Sequence, residues 1–209
     1  MHSDLLGVAR MSTHRLDLPA LIGSRICHDL ISPLGAIGNG IELLHLTGTA
    51  EGAEMALISE SVESASARIR FFRIAYGAAA PDQLISRAEV TAVLGASARG
   101  GRLSYMWEPA DDQPRDAVRM VFLALQCLES AMPHGGDIAV RRDGPDWQIV
   151  AEAARIRLDD DLWACLTTPR HRAAIGPAQV QFALLPEALA QAGRMLSLDI
   201  ADGSVTLRF

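Results

Sequence analysis

Apolar residues recur every three or four positions in two stretches near the start of the chain, and this spacing is typical of amphipathic helices. The first helix is predicted to begin at Asp17 or Leu18, with Pro19 in its first turn, where a missing N–H costs nothing. Its apolar stripe comprises Ile22, Ile26, Leu30, Leu34, Ile37, Ile41 and Leu44. The second stripe comprises Met55, Ile58, Val62, Ala65, Ile69, Phe72 and Tyr76. A break at residues 47–49, within LTGTAEGAE, separates them, so we predict an antiparallel hairpin of two long helices.

The two apolar stripes together are larger than one hairpin can bury. In the second stripe the steps alternate between three and four residues, as in the seam of a coiled coil. We therefore predict that two copies of the hairpin associate into a dimeric four-helix bundle. In the alternative interpretation, the second half of the chain covers the hairpin within a monomer.

From Pro81 onward the pattern changes to short strands between helices. Ser86 and Glu89 form a capping box for a helix that runs to about Arg99. Further helices are predicted over residues 114–132, 159–166 and 177–192. Strands are predicted in the segments RLSYMWE, DIAVRR, DWQIVAEA, MLSLDI and SVTLRF. The second half is therefore predicted to be α/β, with helices on one face of a mainly antiparallel or mixed sheet.

Composition narrows the classes of function. A net charge of −6 and a pI near 5.5 argue against nucleic acid as the main partner, because phosphate binding needs a concentrated positive surface. All 19 basic residues are arginines, which excludes Schiff-base chemistry and a P-loop lysine. Three scattered cysteines suggest neither a disulfide framework nor a metal site. With no apolar run of signal-peptide or membrane-spanning length, we expect a cytoplasmic protein in a reducing compartment.

The stretch RICHDLISPLG, in the middle of the first predicted helix, contains the candidate chemistry. A catalytic unit of Cys27, His28 and Asp29 is disfavoured, because adjacent helix residues point about 100° apart. A buried structural histidine is the main alternative to a nucleophile. The face of His28 is mostly small and polar, which leaves the imidazole accessible to a partner; its other members are Leu21, Ser24, Ser32, Gly35 and Asn39.

Proline is unusual at position 33, in the interior of a predicted helix. It removes a hydrogen bond to the preceding turn, bends the axis and frees the carbonyl of Asp29. A proline that lowers the stability of a helix is usually retained for a functional reason. The alternative interpretation is that Pro33 reflects packing alone.

The residues HDLISPL, from His28 to Leu34, resemble the H-box of histidine kinases, in which an acid directly follows the phosphoacceptor histidine and a proline lies five residues after that histidine. The longer stretch SRICHDLISPLGAIGNGIELL is most similar to the ChpT-type histidine phosphotransferases, and the similarity of organisation extends over nearly the whole chain. The resemblance implies that His28 is the phosphoacceptor and that Asp29 fixes its tautomer. Helix geometry points instead to Ser24 and Ser32 as nearer neighbours of the ring. Ser32 also matches the position that orients a hydrolytic water in bifunctional kinases.

The motifs by which kinases of this type bind nucleotide are missing from the second half. The segment LALQCLESAMPHGG has no asparagine for magnesium, VAEAARIRL has Glu152 but no glycine, and HRAAIGPAQVQ has only Gly176. We expect this chain to bind no cofactor or metal, and the partner receiver domain to supply Mg²⁺. The resemblance divides the chain into a flexible N-terminus (1–16), a helical hairpin for dimerisation and phosphotransfer (17–79) and a degenerate histidine-kinase ATPase-like α/β sandwich (80–209).

The function implied is that of a histidine phosphotransferase in a multistep phosphorelay. His28 would accept a phosphoryl group from the receiver aspartate of a CckA-like hybrid kinase and pass it to CtrA-like and CpdR-like response regulators. Receivers are expected to dock on the face that contains His28, Ser32, Gly35 and Asn39, with Arg25 as a further candidate contact. The alternatives are a divergent ATP-dependent histidine kinase and a non-catalytic dimeric adaptor for receiver domains.

Overall fold

A computed structural model describes residues 16–47, 53–80, 82–99, 101–169 and 171–209. Apart from residue 16, the N-terminal segment predicted to be flexible (1–16) lies outside the described residues, as do residues 48–52, which include positions 48 and 49 of the predicted break. Among the described residues, no helix has the length and apolar character needed to cross a membrane. The division of the chain at residue 80 stays a prediction.

The first half forms two long helices, as predicted. Helix α1 spans Leu18–Thr47, so it begins at one of the two residues predicted. Helix α2 spans Ala53–Ala75. The two helices approach closely at Gly40, where an added Cβ would lie 2.6 Å from Cγ1 of Ile58. Gly40 therefore sets how near α2 comes to α1. Pro33 also lies inside α1, and it is buried.

The hairpin has two differently packed ends. We call residues 18–30 with 68–76 the proximal end, and residues 34–47 with 53–62 the distal end. At the proximal end, apolar side chains pack against the core of the second half: Leu18, Leu21, Ile22, Ile26, Phe71, Phe72, Ile74, Ala75 and Tyr76. Most of the exposed apolar side chains of the two helices lie at the distal end: Leu34, Ile41, Leu43, Met55, Leu57 and Val62. Ile31 lies between the two ends and Ile69 at the proximal end, and both are also exposed. The second half of the chain therefore covers one end of the hairpin and leaves the other uncovered.

The second half alternates helices and short strands. It begins with β1 (Leu84–Ile85), α3 (Arg87–Ala98), β2 (Leu103–Trp107), β3 (Gln113–Pro114), α4 (Arg115–Ala131) and β4 (Gly136–Asp143). It continues with β5 (Asp146–Glu152), α5 (Asp160–Thr167), a 3₁₀ turn (Pro177–Gln179), α6 (Gln181–Gln191), β6 (Ser197–Ala201) and β7 (Ser204–Arg208). Ser86 caps α3 by accepting a hydrogen bond from the backbone N–H of Glu89 at 3.1 Å, which matches one half of the predicted capping box. The antiparallel pair of β1 and β3 was not predicted.

The main sheet has five strands in the order β2-β4-β5-β7-β6. The pair β2 and β4 is parallel and all other pairs are antiparallel, so the sheet is mixed, as predicted. Alternate residues of β5, such as Trp147 and Ile149, are fully buried, whereas Met106 on β2 and Ile200 on β6 are exposed. One face of the sheet is thus buried against the helices and the other is open.

Helix α4 is the centre of the core, because the unbroken run from Val121 to Leu125 is completely buried. At its end the chain turns through Gly135, whose φ is +94° and whose Cβ, if present, would lie 2.1 Å from the carbonyl oxygen of Arg102. Only glycine fits such a turn, which brings β4 alongside β2. Gly135 thus makes the pairing of these two strands possible.

Candidate active site

His28 lies on the proximal end of α1 with 81% of its side chain exposed. Its Nδ1 is 3.0 Å from Oδ1 of Asp29. A carboxylate at that distance favours the tautomer in which Nδ1 carries the proton, and the lone pair then lies on Nε2. The imidazole is therefore accessible and has one nitrogen available as a nucleophile, and the interpretation of His28 as a buried structural residue is wrong.

The expected divergence of adjacent side chains does not keep His28 and Asp29 apart. The carboxylate of Asp29 lies within hydrogen-bonding distance of the ring nitrogen. Neither Ser24 nor Ser32, which helix geometry favoured, forms a hydrogen bond with His28 among the described residues, and both are exposed. Cys27 is a free, exposed thiol.

Asp29 is held at both its side chain and its backbone. Its carboxylate is largely buried, and Oδ2 lies 2.8 Å from Nε of Arg25, a close ion pair in which the N–H is not aligned for a hydrogen bond. Its carbonyl oxygen accepts a hydrogen bond from Nη1 of Arg68 on α2 at 3.1 Å. This carbonyl is the one that Pro33 leaves without a helical partner. The predicted freed carbonyl is therefore a link between the two helices.

Arg25 was predicted to contact a partner, and the structure places it differently. Only 20% of its side chain is exposed, and Nη1 donates a hydrogen bond to the carbonyl oxygen of Ala178 at 2.8 Å. Together with the ion pair to Asp29, this contact joins the proximal end of α1 to the 3₁₀ turn of the second half. These contacts within the chain were not predicted from the sequence, and a contact of Arg25 with a receiver stays a prediction.

The predicted docking residues lie on an open face. Ser32, Gly35 and Asn39 are exposed, and a Cβ added at Gly35 would meet no atom within 4 Å. Ile31 and Leu34 are also exposed, which adds apolar area to this small polar surface. Leu21, which sequence reasoning assigned to the same face, instead packs against the core.

A cleft of about 510 Å³ lies behind the His28 face, between the hairpin and the second half, and it is lined among others by Arg25, Asp29, Arg68, Tyr105, Gln126 and Glu129. The hydroxyl of Tyr105 donates a hydrogen bond to Oε1 of Glu129 at 2.7 Å. Burial raises the pKa of Glu129 to about 7, against the opposing effects of the Tyr105 hydrogen bond and the positive charge of Arg25, while the charge of Asp29 raises it further.

Sequence reasoning missed Glu129 and Tyr105. Tyr105 lies on β2 and Glu129 lies on α4, 24 positions later, and no local sequence pattern predicts that they meet. Burial likewise raises the pKa of Tyr76 to about 12, while its hydroxyl donates to Oε1 of Gln126 at 3.0 Å. Arg25, Gln126 and Glu129 line the same cleft.

Three segments were compared with the nucleotide-binding motifs of kinases. In the first, on α4, Gln126 and Glu129 line the cleft. In the second, Glu152 is exposed at the end of β5, and in the third, Gly176 caps the 3₁₀ turn. Within the described ranges, no group of three or more His, Cys, Asp or Glu side chains is arranged to hold a metal ion.

Comparisons with known proteins identify relatives of the chain. Residues 87–204, more than half of the chain, match the family of the histidine phosphotransferase C-terminal domain. Protein phosphotransferase ChpT of Brucella abortus (strain 2308) is 44% identical over 133 residues, a match that spans 63% of this chain and 63% of that relative. The solved structure of a bacterial phosphotransferase superposes with a TM-score of 0.78 at 32% identity, covering 92% of this chain and 95% of the other. The histidine kinase AdeS of Acinetobacter baumannii reaches a TM-score of only 0.44 at 10% identity, with 87% and 95% of the two chains covered.

Proposed function

Because the chain belongs to the histidine phosphotransferase family, as its sequence resemblance predicted, we propose that it relays phosphoryl groups between receiver domains through His28. The observation that carries this proposal is the exposed imidazole whose Nδ1 lies 3.0 Å from a carboxylate. A relay histidine must be reachable by a large partner and must present one basic nitrogen, and His28 meets both needs.

In the proposed reaction, Nε2 of His28 attacks the phosphorus of a receiver aspartyl phosphate. The N–P bond forms as the P–O bond to the aspartate breaks, and the leaving carboxylate stays on the donor receiver. The carboxylate of Asp29 accepts a hydrogen bond from Nδ1–H and stabilises the positive charge that develops on the ring. Transfer to a second receiver is the reverse of this step. The receiver supplies Mg²⁺, and no cofactor of this chain takes part.

Receivers are proposed to dock on the face around His28, which includes Ser32, Gly35 and Asn39. Small side chains and the open space above Gly35 let a rounded partner approach the imidazole. The exposed Ile31 and Leu34 supply apolar area beside it. By family resemblance the donor is a CckA-like hybrid kinase and the acceptors are CtrA-like and CpdR-like response regulators.

Two copies are proposed to associate through the distal end of the hairpin into a four-helix bundle. Ile41, Met55, Leu57 and Val62 are each at least 40% exposed there. An exposed apolar seam on paired helices is what a bundle interface requires.

The alternatives are an ATP-dependent kinase and a non-catalytic adaptor. The kinase alternative is disfavoured because α4 carries no asparagine for magnesium and the segment after β5 lacks the glycines of a nucleotide-binding turn. The adaptor alternative is disfavoured because an inert docking surface would not require Asp29 at the ring nitrogen.

The deciding experiment incubates the protein with a receiver domain that carries radiolabelled phosphate. We expect label on the wild type and on the control His134→Ala, in which an exposed histidine outside the site is removed, and none on His28→Ala. Label retained by His28→Ala would contradict the proposal. Labelling by ATP alone that depends on His28 would support the kinase, and receiver binding without labelling would support the adaptor.

A further inference from the structure

Asp29 is contacted by two arginines from two different helices, and each contacts a different part of it. Arg25, one turn earlier on α1, pairs with the carboxylate. Arg68, on α2, donates a hydrogen bond to the main-chain carbonyl. The family comparison assigns no role to either side chain, and both lie in the cleft behind the exposed His28.

The contact with Arg25 fixes the rotation of the carboxylate. Its two oxygens have different partners: Oδ2 lies 2.8 Å from Nε of Arg25 and Oδ1 lies 3.0 Å from Nδ1 of His28. A carboxylate without the first partner would be free to turn about its last bond, which is a soft torsion. The guanidinium is itself anchored, because Nη1 donates to the carbonyl oxygen of Ala178 at 2.8 Å.

The contact with Arg68 fixes the backbone that follows His28. Pro33 has no N–H to donate to the carbonyl of Asp29, so this oxygen would lack a partner without Arg68. The hydrogen bond of 3.1 Å supplies that partner from α2. It therefore holds the backbone of α1 at the residue whose side chain meets the imidazole.

We propose that Arg25 and Arg68 form an arginine clamp that orients Asp29 toward Nδ1 of His28, so that both are positioning residues for phosphoryl transfer. The inference rests on the proposed role of His28. It also reassigns Arg25, whose charge faces Asp29 and the Tyr105–Glu129 pair inside the cleft rather than an incoming receiver.

A structural role alone would predict a different outcome. If the two arginines only fastened the hairpin to the second half, their loss would lower stability and leave the tautomer of His28 unchanged. The clamp predicts that the tautomer changes even where the fold is intact. The ¹⁵N chemical shifts of the two ring nitrogens report this directly, because a protonated and an unprotonated imidazole nitrogen resonate far apart.

The test uses the full chain labelled with ¹⁵N-histidine, as wild type, Arg25→Ala, Arg25→Lys and Arg68→Ala. Arg141→Ala is the matched control, because it removes an exposed arginine paired with Glu108 on the sheet. We expect Nδ1–H in the wild type and in the control, and a mixture with Nε2–H in Arg25→Ala and Arg68→Ala. Arg25→Lys keeps the positive charge but lacks the planar guanidinium group, so we expect a mixture of the two tautomers between those of the wild type and Arg25→Ala. If Arg25→Ala does not fold, Arg25→Lys provides the measurement.

Transfer from a phosphorylated receiver is measured in parallel. We expect a slowing on the order of tenfold to a hundredfold in Arg25→Ala and Arg68→Ala, with an unchanged circular dichroism spectrum. Unchanged ring shifts in the folded variants would overturn the clamp even if transfer slowed. If no receiver labels the wild type, the proposed function fails, whereas the ring shifts still test the clamp; the two failures are therefore distinguishable.

Discussion

The two ends of the helical hairpin differ in what covers them. At the proximal end, the first turns of α1 and the last turns of α2 pack on the core of the second half, and Arg25 is hydrogen-bonded to Ala178. At the distal end, Ile41, Met55 and Val62 remain exposed. Both ends have similar apolar periodicity in the sequence, so the difference lies in the tertiary contacts. The proposed phosphoacceptor His28 therefore lies at the end that the second half covers, and the proposed dimer interface lies at the end that it leaves uncovered.

The largest effect is expected from Asp29→Asn, which changes the proximal end alone. An amide keeps the size of the side chain but loses the charge that stabilises the imidazolium and favours Nδ1–H, so transfer should slow on the order of a hundredfold. The rate is measured with a labelled receiver. Asp199→Asn, an exposed carboxylate on β6, is the control. Wild-type transfer by Asp29→Asn would remove Asp29 from the mechanism.

Charged residues introduced at the distal end should weaken the proposed dimer without changing the site at the proximal end. The double variant Ile41→Glu with Val62→Glu places carboxylates in the proposed bundle interface, where their desolvation is unfavourable. The dissociation constant of the dimer should rise by at least about a hundredfold. Light scattering over a dilution series measures it, and the circular dichroism spectrum should be retained. A wild type of monomer mass, or a variant that stays dimeric, would show that the distal end is not the interface.

The pH dependence of stability should distinguish the proximal cleft from the rest of the chain. Burial raises the pKa of Glu129 from 4.5 to about 7, so the folded chain binds more protons than the unfolded chain between these values. The free energy of unfolding should therefore fall as the pH rises from about 4.5 through about 7, with no further change from this group above that.

Glu129→Gln removes this titration while keeping a side chain that can accept from Tyr105. The difference between wild type and variant should change by at most about 3 kcal/mol between pH 5 and pH 8, measured by urea denaturation. Parallel pH profiles for the two proteins would exclude a raised pKa for Glu129.

Much of the fold could be predicted because its signals are local. Periodicity gave both long helices, and Ser86 with Glu89 marked the start of α3. The pair of β1 and β3 escaped prediction, because strands of two residues are too short to show alternation.

The site divides in the same way. His28 and Asp29 are found by a contiguous motif, whereas Arg68 meets Asp29 across 39 positions and Arg25 meets Ala178 across 153. An arginine on a helix has the same sequence pattern whether it faces solvent or a buried carbonyl. Only the tertiary fold distinguishes the two, and for this reason the contact of Arg25 with Ala178 could not be predicted from the sequence.

The smallest expected effects come from two glycines on the same helix, and they test whether the distal end is well packed between its own two helices. At Gly40 an added methyl would meet Ile58 at 2.6 Å, whereas at Gly38 it would meet no atom within 4 Å. Gly40→Ala should therefore force α2 away and lower the free energy of unfolding by about 1–3 kcal/mol. Gly38→Ala should raise it by about 0.5–1 kcal/mol, because alanine loses less backbone entropy in a helix. Urea denaturation at a fixed protein concentration measures both. Equal effects at the two positions would mean that α1 and α2 do not approach closely at Gly40, and the exposed seam would then belong to a looser hairpin.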